Sequence, residues 1–456
     1  MKQSLPTLDI FVRLNCIQSL HTIELGLLSE EARTMPTSSN DAIAGFLATQ
    51  QSAQTDFLRE LVRIPSDNPP GDCAPHSAVL ARLLTKHGLD VHPLPVAPAL
   101  AHANGMLSAT NLIVRRTFGQ GGPVVALNAH GDVVPPGLGW KRDPYGAQIE
   151  QDPEHGPVMY GRGAAVSKSD FATYTWALLA LEHLEREGVR LNGTVELHFT
   201  YDEEAGGEIG PGLLLKEGAS RPDYAISAGF SYGIVSSHNG CLHMEVSVRG
   251  RQAHAAMPDS GVDALEAATH VMRALYDYRE QLALRHSAVP GIQSPTLNIG
   301  LIKGGINTNV VPDDVTFRVD RRMIPEEAGT DIEAELLTVI EQAGAGRPDV
   351  QIQARRIMLA QPLVELPGAR VLIDTIRQRA AEVFATDIPV QGSPLYTDAR
   401  HYTQHGIPTI LYGAGPRTLQ EAGGHNADEN IRLKDLFGAT RVMALALADL
   451  LQGTGA

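Results

Sequence analysis

Cysteine is scarce. The 456 residues hold three, Cys16, Cys73 and Cys241. No CxxC pair occurs, and no disulfide framework can be built at that density. The scarcity suits a reducing, cytoplasmic compartment. Long apolar runs are missing too. None approaches the roughly 20 residues of a membrane span, and stretches such as Val442 to Leu451 are interrupted and read as amphipathic helix. Basic residues are outnumbered, 37 Lys+Arg against 52 Asp+Glu, for a formal net charge of −15. A nucleic-acid binder normally presents a basic face, so the balance argues against that class. There are no internal repeats and no low-complexity run. A clean signal peptide is also lacking, because MKQSLPTLDIFVRLNC has an early acid and no continuous apolar core. Residues 1–34 read as a poorly ordered extension, with Met35 as a candidate start.

What is present is core-forming material. Apolar residues make up 43% and charged residues 20%, which suits large cores in two or three domains of roughly 100–200 residues. A helix is expected over 41–64, capped by Asn40 or Asp41, followed by a loop at 65–72. Strands are expected at 123–132, 194–204 and 224–230, with a helix from Phe171 to Leu184 between the first two. Strands alternating with helices predict an α/β domain with a mostly parallel central sheet. In such sheets ligands gather at the C-terminal ends of strands.

The pattern changes after about residue 238. CLHMEVSV (241–248) and VTFRVDRR (315–322) alternate strictly. Segments 296–305 and 350–357 read as two more strands, with helices at 262–281 and 326–343. This predicts an inserted α+β domain, two helices on a four-stranded antiparallel sheet. The α/β pattern resumes with a helix at 369–385, a strand at 407–413 and a last helix at 433–452. The expected division is a split domain over 35–237 and 358–456, with the insertion at 238–357.

Three constellations could carry chemistry. In HGD (130–132), the one-residue spacing lets His130 bind a metal while Asp132 holds its other ring N–H; alone, HxD is common and also reads as a strand-end cap. In TYDEEAGGEIG (200–210), three adjacent acids repel one another unless a cation or a raised pKa compensates; the bland reading is a solvated turn. In GGHNADEN (423–430), His425 sits in a glycine-rich loop, with Asp428 or Glu429 as caps for the following helix.

Together with YGRGAA (160–165), GRQAHAAMPDSGVDA (250–264), GGINTNVVPD (304–313), VDRRMIP (319–325), TDAR (397–400) and YGAG (412–415), these segments appear in one order over about residues 55–452. In this the chain resembles the zinc aminoacylase and carboxypeptidase family that includes acetylornithine deacetylase, succinyl-diaminopimelate desuccinylase and glutamate carboxypeptidase. The resemblance implies a catalytic domain with an inserted lid or dimerisation domain. It makes His130, Glu204 and His425 metal ligands, Asp132 the orienter of His130 and Glu203 the general base. It makes His254 the lid histidine that reaches the substrate carbonyl, often across a dimer, and Asn309 and Arg322 contacts for the substrate's polar end, with Arg400 as a further candidate.

Two positions depart from the family. Its bridging aspartate falls on Val166, and its acid after the next strand falls on Gly229. A bridged pair of ions normally needs shared oxygen ligands. Three readings follow: one Zn²⁺ (or Co²⁺ or Mn²⁺) on the remaining ligands; Asp170, one helical turn beyond Val166, as a replacement ligand; or a binder or pseudoenzyme without catalysis. The favoured expectation is a metal-dependent amidohydrolase or peptidase acting on a small N-acyl amino acid or dipeptide-like substrate with a carboxylate. The resemblance also implies a homodimer through the lid; no nucleic-acid or membrane partner is expected.

Overall fold

A computed structural model describes residues 38–453; the expected extension at 1–34 lies outside the described residues. The helices are α1 (Ser39–Val62), α2 (Ala74–Lys86), α3 (Pro98–Ala103), α4 (Lys168–Arg186), α5 (Pro211–Lys216), α6 (Ala264–Leu282), α7 (Gly329–Gly344), α8 (Ala369–Phe384), α9 (Ala399–Gln404), α10 (Leu419–Ala422) and α11 (Leu433–Gln452). The strands are β1 (Val91–Pro95), β2 (Thr110–Phe118), β3 (Val124–His130), β4 (Gln148–Asp152), β5 (Gly156–Tyr160), β6 (Gly193–Thr200), β7 (Tyr224–Ser227), β8 (Ile234–His238), β9 (Gly240–Arg249), β10 (Ala253–His254), β11 (Thr296–Gly304), β12 (Val310–Val311), β13 (Asp314–Met323), β14 (Gln351–Ala360), β15 (Val390–Ser393), β16 (Thr409–Leu411) and β17 (Asn430–Arg432).

The main sheet has eight strands in the order β1-β2-β6-β3-β7-β16-β8-β15. Its centre is parallel: β3 pairs with β6 and β7, and β7 with β16, all in the same direction. The C-terminal ends of these four strands therefore meet at one edge of the sheet, where His130, Thr200, Ser227 and Leu411 stand. Helices α1, α4, α8 and α11 cover the sheet. Phe171 on α4 packs 4.4 Å, ring to ring, from Phe199 on β6, and Trp176 lies against Phe57 of α1 at 5.2 Å. Burial of such aromatics supplies much of the hydrophobic driving force.

The second sheet has the order β11-β13-β9-β14 and is antiparallel throughout. The alternation in β9 does what its pattern dictates: Leu242, Met244, Val246 and Val248 are buried with Val315, Phe317 and Val319 beneath α6 and α7. This is the mixed, mostly parallel sheet with a smaller antiparallel α+β unit that the sequence predicts.

Local details differ from expectation. The cap of α1 is Ser38, whose Oγ accepts the Asp41 N–H at 3.2 Å, so Asp41 sits in the first turn. The strand 194–204 stops at Thr200, and Glu203 to Ala205 form a 3₁₀ turn. Neither Asp428 nor Glu429 caps α11, which starts after Arg432 without a side-chain cap. A third sheet, β17-β5-β4, ties the 423–430 loop to residues 156–160.

Candidate active site

The edge where the parallel strands end opens on a cavity of about 350 Å³ lined by His130, Glu203, Glu204, His425, Asp170 and Arg322, among others. They arrive from five separate segments. His130 is the last residue of β3. Glu203 and Glu204 follow β6 in the 3₁₀ turn. His425 comes from the loop that β17 pins, at φ +62°, and Arg322 from β13 of the second sheet.

Asp132 organises the turn. It is fully buried, and its carboxylate accepts the backbone N–H groups of Glu203 at 3.2 Å and Glu204 at 3.1 Å and the Asn68 side-chain amide at 2.9 Å. Its Oδ1 lies 3.4 Å from His130 Nδ1, and its backbone carbonyl 3.0 Å from the same nitrogen. So Asp132 fixes Nδ1 as the donor side of the ring, which leaves Nε2 facing the cavity. That nitrogen is 3.9 Å from Glu203 Oε2. Burial works against a charged imidazole, but Glu203, Asp132 and Glu204 outweigh it and push the His130 pKa well above its ordinary value.

The acids of the DEE turn take the raised-pKa route that crowding demands. Burial pushes Glu203 up to about 8, His130 working in the opposite sense. Burial, then the charges of Asp398 and Asp132, raise Asp202 as well. Asp202 faces away from the cavity and accepts the Ile209 N–H at 2.6 Å. Glu204 Oε1 meets His425 Nε2 at 3.2 Å, and this hydrogen bond raises the His425 pKa.

The two departures from the family pattern have physical consequences. Val166 lines the cavity and offers no donor atom. Gly229 has no room for a side chain: a Cβ would stand 2.7 Å from the Tyr412 nitrogen and 2.8 Å from the Leu411 carbonyl carbon. A bridged pair of ions on the family's ligand set therefore does not fit. Two imidazoles and one carboxylate are a catalytic zinc donor set that leaves a position open for water, so by donor chemistry His130, Glu204 and His425 fit one ion. Glu204 and His425 are in contact, but the donor atoms of all three do not come within 4.8 Å of one another. Among the described residues, the three-residue set whose donor atoms all lie within 4.8 Å of one another is Cys241, His243 and Asp320.

That set belongs to Arg322. Asp320 accepts Arg322 Nε at 2.9 Å and Nη2 at 3.1 Å, and its Oδ2 is 3.1 Å from His243 Nε2. Burial opposes the charge on Asp320, but His243 and Arg322 hold its pKa down at about 2. The Cys241 thiol is pushed up to about 12 by burial. The carboxylate is thus already engaged, and the cluster aims Arg322 at the cavity beside the Tyr396 ring.

The remaining expected residues lie elsewhere. His254 is exposed on β10, paired with Val310, and does not line the cavity; neither does the exposed Asn309. Arg400 is buried beneath the DEE turn, where Nη2 donates to the Gly206 carbonyl and to Glu208 at 3.3 Å, so it braces the turn and does not reach the cavity. Asp170 does line the cavity; Oδ1 accepts the Ala414 N–H at 2.6 Å, and burial pushes its pKa up to about 8. Two residues escaped the sequence reading. Asp398, inside the TDAR segment, is a second buried carboxyl on the cavity wall, raised to about 8 by burial and by Glu203. Glu429 accepts the N–H groups of Ala165 and Val166 at 3.0 and 3.1 Å and pairs with Arg162 at 2.6 Å.

A parallel sheet whose strand ends present imidazoles and carboxylates, roofed by an antiparallel unit carrying an arginine, defines a two-domain metallohydrolase scaffold. Residues 126–449 match Peptidase family M20/M25/M40, and the chain belongs to that family. It is 26% identical over 409 residues to a succinyl-diaminopimelate desuccinylase of Granulibacter bethesdensis, covering 87% of this chain and 97% of that one. It is 27% identical over 347 residues to an acetylornithine deacetylase of Myxococcus xanthus, covering 75% and 84%. In fold it is similar to human carnosine dipeptidase 1 (TM-score 0.69, 18% identity, 92% of this chain and 100% of that one). It is equally similar to an M20 family metallo-carboxypeptidase from Sulfolobus solfataricus (TM-score 0.70, 17% identity, 88% and 99%).

Proposed function

We propose that the protein is a metal-dependent amidohydrolase that cleaves the amide of a small N-acyl amino acid or dipeptide-like substrate. The observation that carries this reading is the meeting of Glu203, His130, Glu204 and His425 on one cavity, with Arg322 on the same wall. His130, Glu204 and His425 would hold a single Zn²⁺, with Co²⁺ or Mn²⁺ as substitutes. When bound, such an ion acidifies the attacking water and polarises the carbonyl.

The chain's own residues do the rest. Glu203 takes the proton from the attacking water and returns it to the departing amine. Asp132 keeps His130 oriented and, by accepting both N–H groups of the DEE turn, keeps Glu203 in place. Arg322 keeps Nη1 free of hydrogen bonds among the described residues while Asp320 holds Nε and Nη2. That nitrogen receives a substrate carboxylate. His254 and Asn309 stand off this cavity, which supports a homodimer in which they serve the partner's site and His254 steadies the developing oxyanion.

Glu203→Gln tests the mechanism. The expected outcome is a fall in turnover of about 10²–10⁴-fold with metal content near wild type. Activity surviving at the wild-type level would refute the role of Glu203. A second reading, a small-molecule binder without turnover, draws on Val166 and Gly229. Metal analysis with a panel of N-acyl amino acids separates the two: no metal and no turnover favours the binder.

A further inference from the structure

Two stretches of chain join the main sheet to the second sheet, and a buried histidine stands where they meet. β8 ends at His238 and β9 begins at Gly240. The return stretch leaves β14 at Ala360 and passes Leu363. The two run side by side: the His238 N–H donates to the Leu363 carbonyl at 3.1 Å, and the Leu363 N–H to the His238 carbonyl at 3.1 Å. They also pack tightly. A Cβ on Gly240 would stand 2.7 Å from the Ala360 oxygen and 2.8 Å from Pro362 Cδ. The His238 ring is fully buried, and the mechanism proposed above does not use it. Its surroundings fix its tautomer. The Thr397 backbone N–H can only donate, so Nε2, 3.2 Å away, accepts. The ring proton is then on Nδ1, which donates to the Asn239 carbonyl at 2.9 Å. Burial pushes the His238 pKa down to about 4, so Nε2 keeps its lone pair at neutral pH.

Thr397 belongs to the cavity wall. Ser393, Leu395, Tyr396, Thr397 and Asp398 all line the cavity, and the Tyr396 ring centre lies 5.7 Å from the Arg322 guanidinium. The two ends of this wall are fastened separately. Ser393 pairs with His238 in the β15–β8 register, and its carbonyl accepts the Asn239 N–H at 3.0 Å. Asp398, just before α9, accepts the Thr200 hydroxyl at 3.3 Å. The stretch between them, 394–397, has little else to hold it. The Leu395 N–H turns back to Ser393 Oγ at 3.2 Å. Among the described residues, the one hydrogen bond that carries 394–397 to a distant part of the chain is Thr397 to His238.

We propose that His238 is a positioning residue for the reaction: from the junction of the two sheets, its Nε2 holds the Thr397 amide and so sets Tyr396 beside Arg322 on the cavity wall. The ring gathers three things at one point, namely both inter-sheet stretches and the wall itself. The place where Arg322 meets substrate is thereby fixed from two directions, by β13 above and by the Thr397 latch below. Glu203 and its neighbours are held by Asp132 instead, so the latch acts on how substrate is placed and not on the attack itself. This rests on the amidohydrolase reading of the cavity.

The first measurement needs no variant. Hydrogen exchange of the full-length protein, read by mass spectrometry on overlapping peptides, compares two neighbouring amides. The Tyr396 N–H has no hydrogen-bond partner among the described residues, whereas Thr397 has His238, so Thr397 should exchange about tenfold or more slowly. His238→Leu removes the acceptor, and His238→Asn, whose shorter amide stops short of Thr397, is the second such variant. His238→Gln puts an amide oxygen close to where Nε2 stands. Leu and Asn should erase the difference in exchange, and Gln should restore it. Kinetics then use the N-acetyl amino acid that the wild type turns over fastest. Leu and Asn should raise KM about 2- to 10-fold, the range of one ordinary hydrogen bond, with kcat nearly unchanged, and Gln should bring KM back. Equal exchange at the two amides in the wild type overturns the proposal. So does a lowered melting temperature with KM unchanged, which makes His238 a residue of folding alone. Both results leave the amidohydrolase reading standing. No turnover of any N-acetyl amino acid by the wild type overturns that reading, and the role of His238 in the reaction with it. Misfolding of one variant leaves the other, and the wild-type exchange, to decide.

Discussion

Gly131, between the site's His130 and Asp132, is required by packing: a Cβ there would stand 2.5 Å from Tyr201 Cε1 and 3.0 Å from Phe171 Cζ. Those rings are themselves fixed, Tyr201 by a 2.9 Å hydrogen bond to His76 and Phe171 by the core. Gly131→Ala should therefore move His130 and Asp132 together, lowering stability by about 1–3 kcal/mol and activity alongside it; urea unfolding and a rate assay check both. The same accounting separates the two missing acids. At 166 the side chain faces the cavity, so Val166→Asp should raise bound zinc from one ion to two per chain, read by elemental analysis. At 229 the backbone of Leu411 and Tyr412 blocks even a Cβ, so Gly229→Glu should lower stability by about 1–3 kcal/mol and add no metal. The sequence shows which acids are absent. It does not show that one absence can be reversed and the other cannot, because Leu411 and Tyr412 lie about 180 positions downstream and reach residue 229 only through the β7–β16 pairing.

Among the elements, the three-stranded sheet matters most to the site, and it was the least legible. QIEQD on β4 is mostly exposed and does not alternate, so no period of two betrays it. β17 has three residues and pairs with a strand some 270 positions earlier. The buried pair Arg162–Glu429 accompanies that pairing, each side chain 1% exposed, and Glu429 also closes the loop that carries Val166. In sequence Glu429 looks like a helix cap. Its burial appears only once the loop folds back on residues 161–166. Removing one partner of a buried pair strands the other, so Glu429→Ala should cost about 3–5 kcal/mol and weaken metal binding through His425, measurable by thermal unfolding with and without zinc. The opposite case is β9, β13, α6 and α7, whose apolar positions repeat at two or at three-to-four residues and are buried as the pattern requires. Periodicity was enough there because each element is long, ten residues in β9 and in β13, and alternates buried and more exposed positions along its length.

At the scale of the whole molecule, the surplus of acids behaves as two populations. Among the described residues most acids are exposed or half-buried, while a few buried ones carry the pH response. Glu196 is an example: burial opposes its charge, but His198, Ser220 and Arg115 hold its pKa down at about 2, against an ordinary 4.5. A depressed folded-state value contributes stability that is complete above pH 4.5 and is lost as pH falls toward 2. The unfolding midpoint in urea should fall across that window, and Glu196→Gln should flatten the slope. The order of the motifs along the chain was enough to place His130, Glu203, Glu204, His425 and Arg322 on one cavity. It could not say whether His254 and Asn309, if they contact substrate, would do so in their own chain or across a dimer, since a motif records no subunit. Both are exposed away from the cavity, and β11, one of the two edge strands of the four-stranded sheet, exposes Leu301 and Ile302 beside Ile306. An unpaired apolar edge invites a second copy. If His254 works across a two-fold dimer, His254→Ala and Glu203→Gln are each inactive alone but repair one another. Mixing equal amounts and letting subunits exchange makes half the dimers hybrids, each with one intact site. Activity should then recover to about a quarter of wild type, tracking hybrid formation by native mass spectrometry. Hybrids that form without any recovery would place the work of His254 within its own chain.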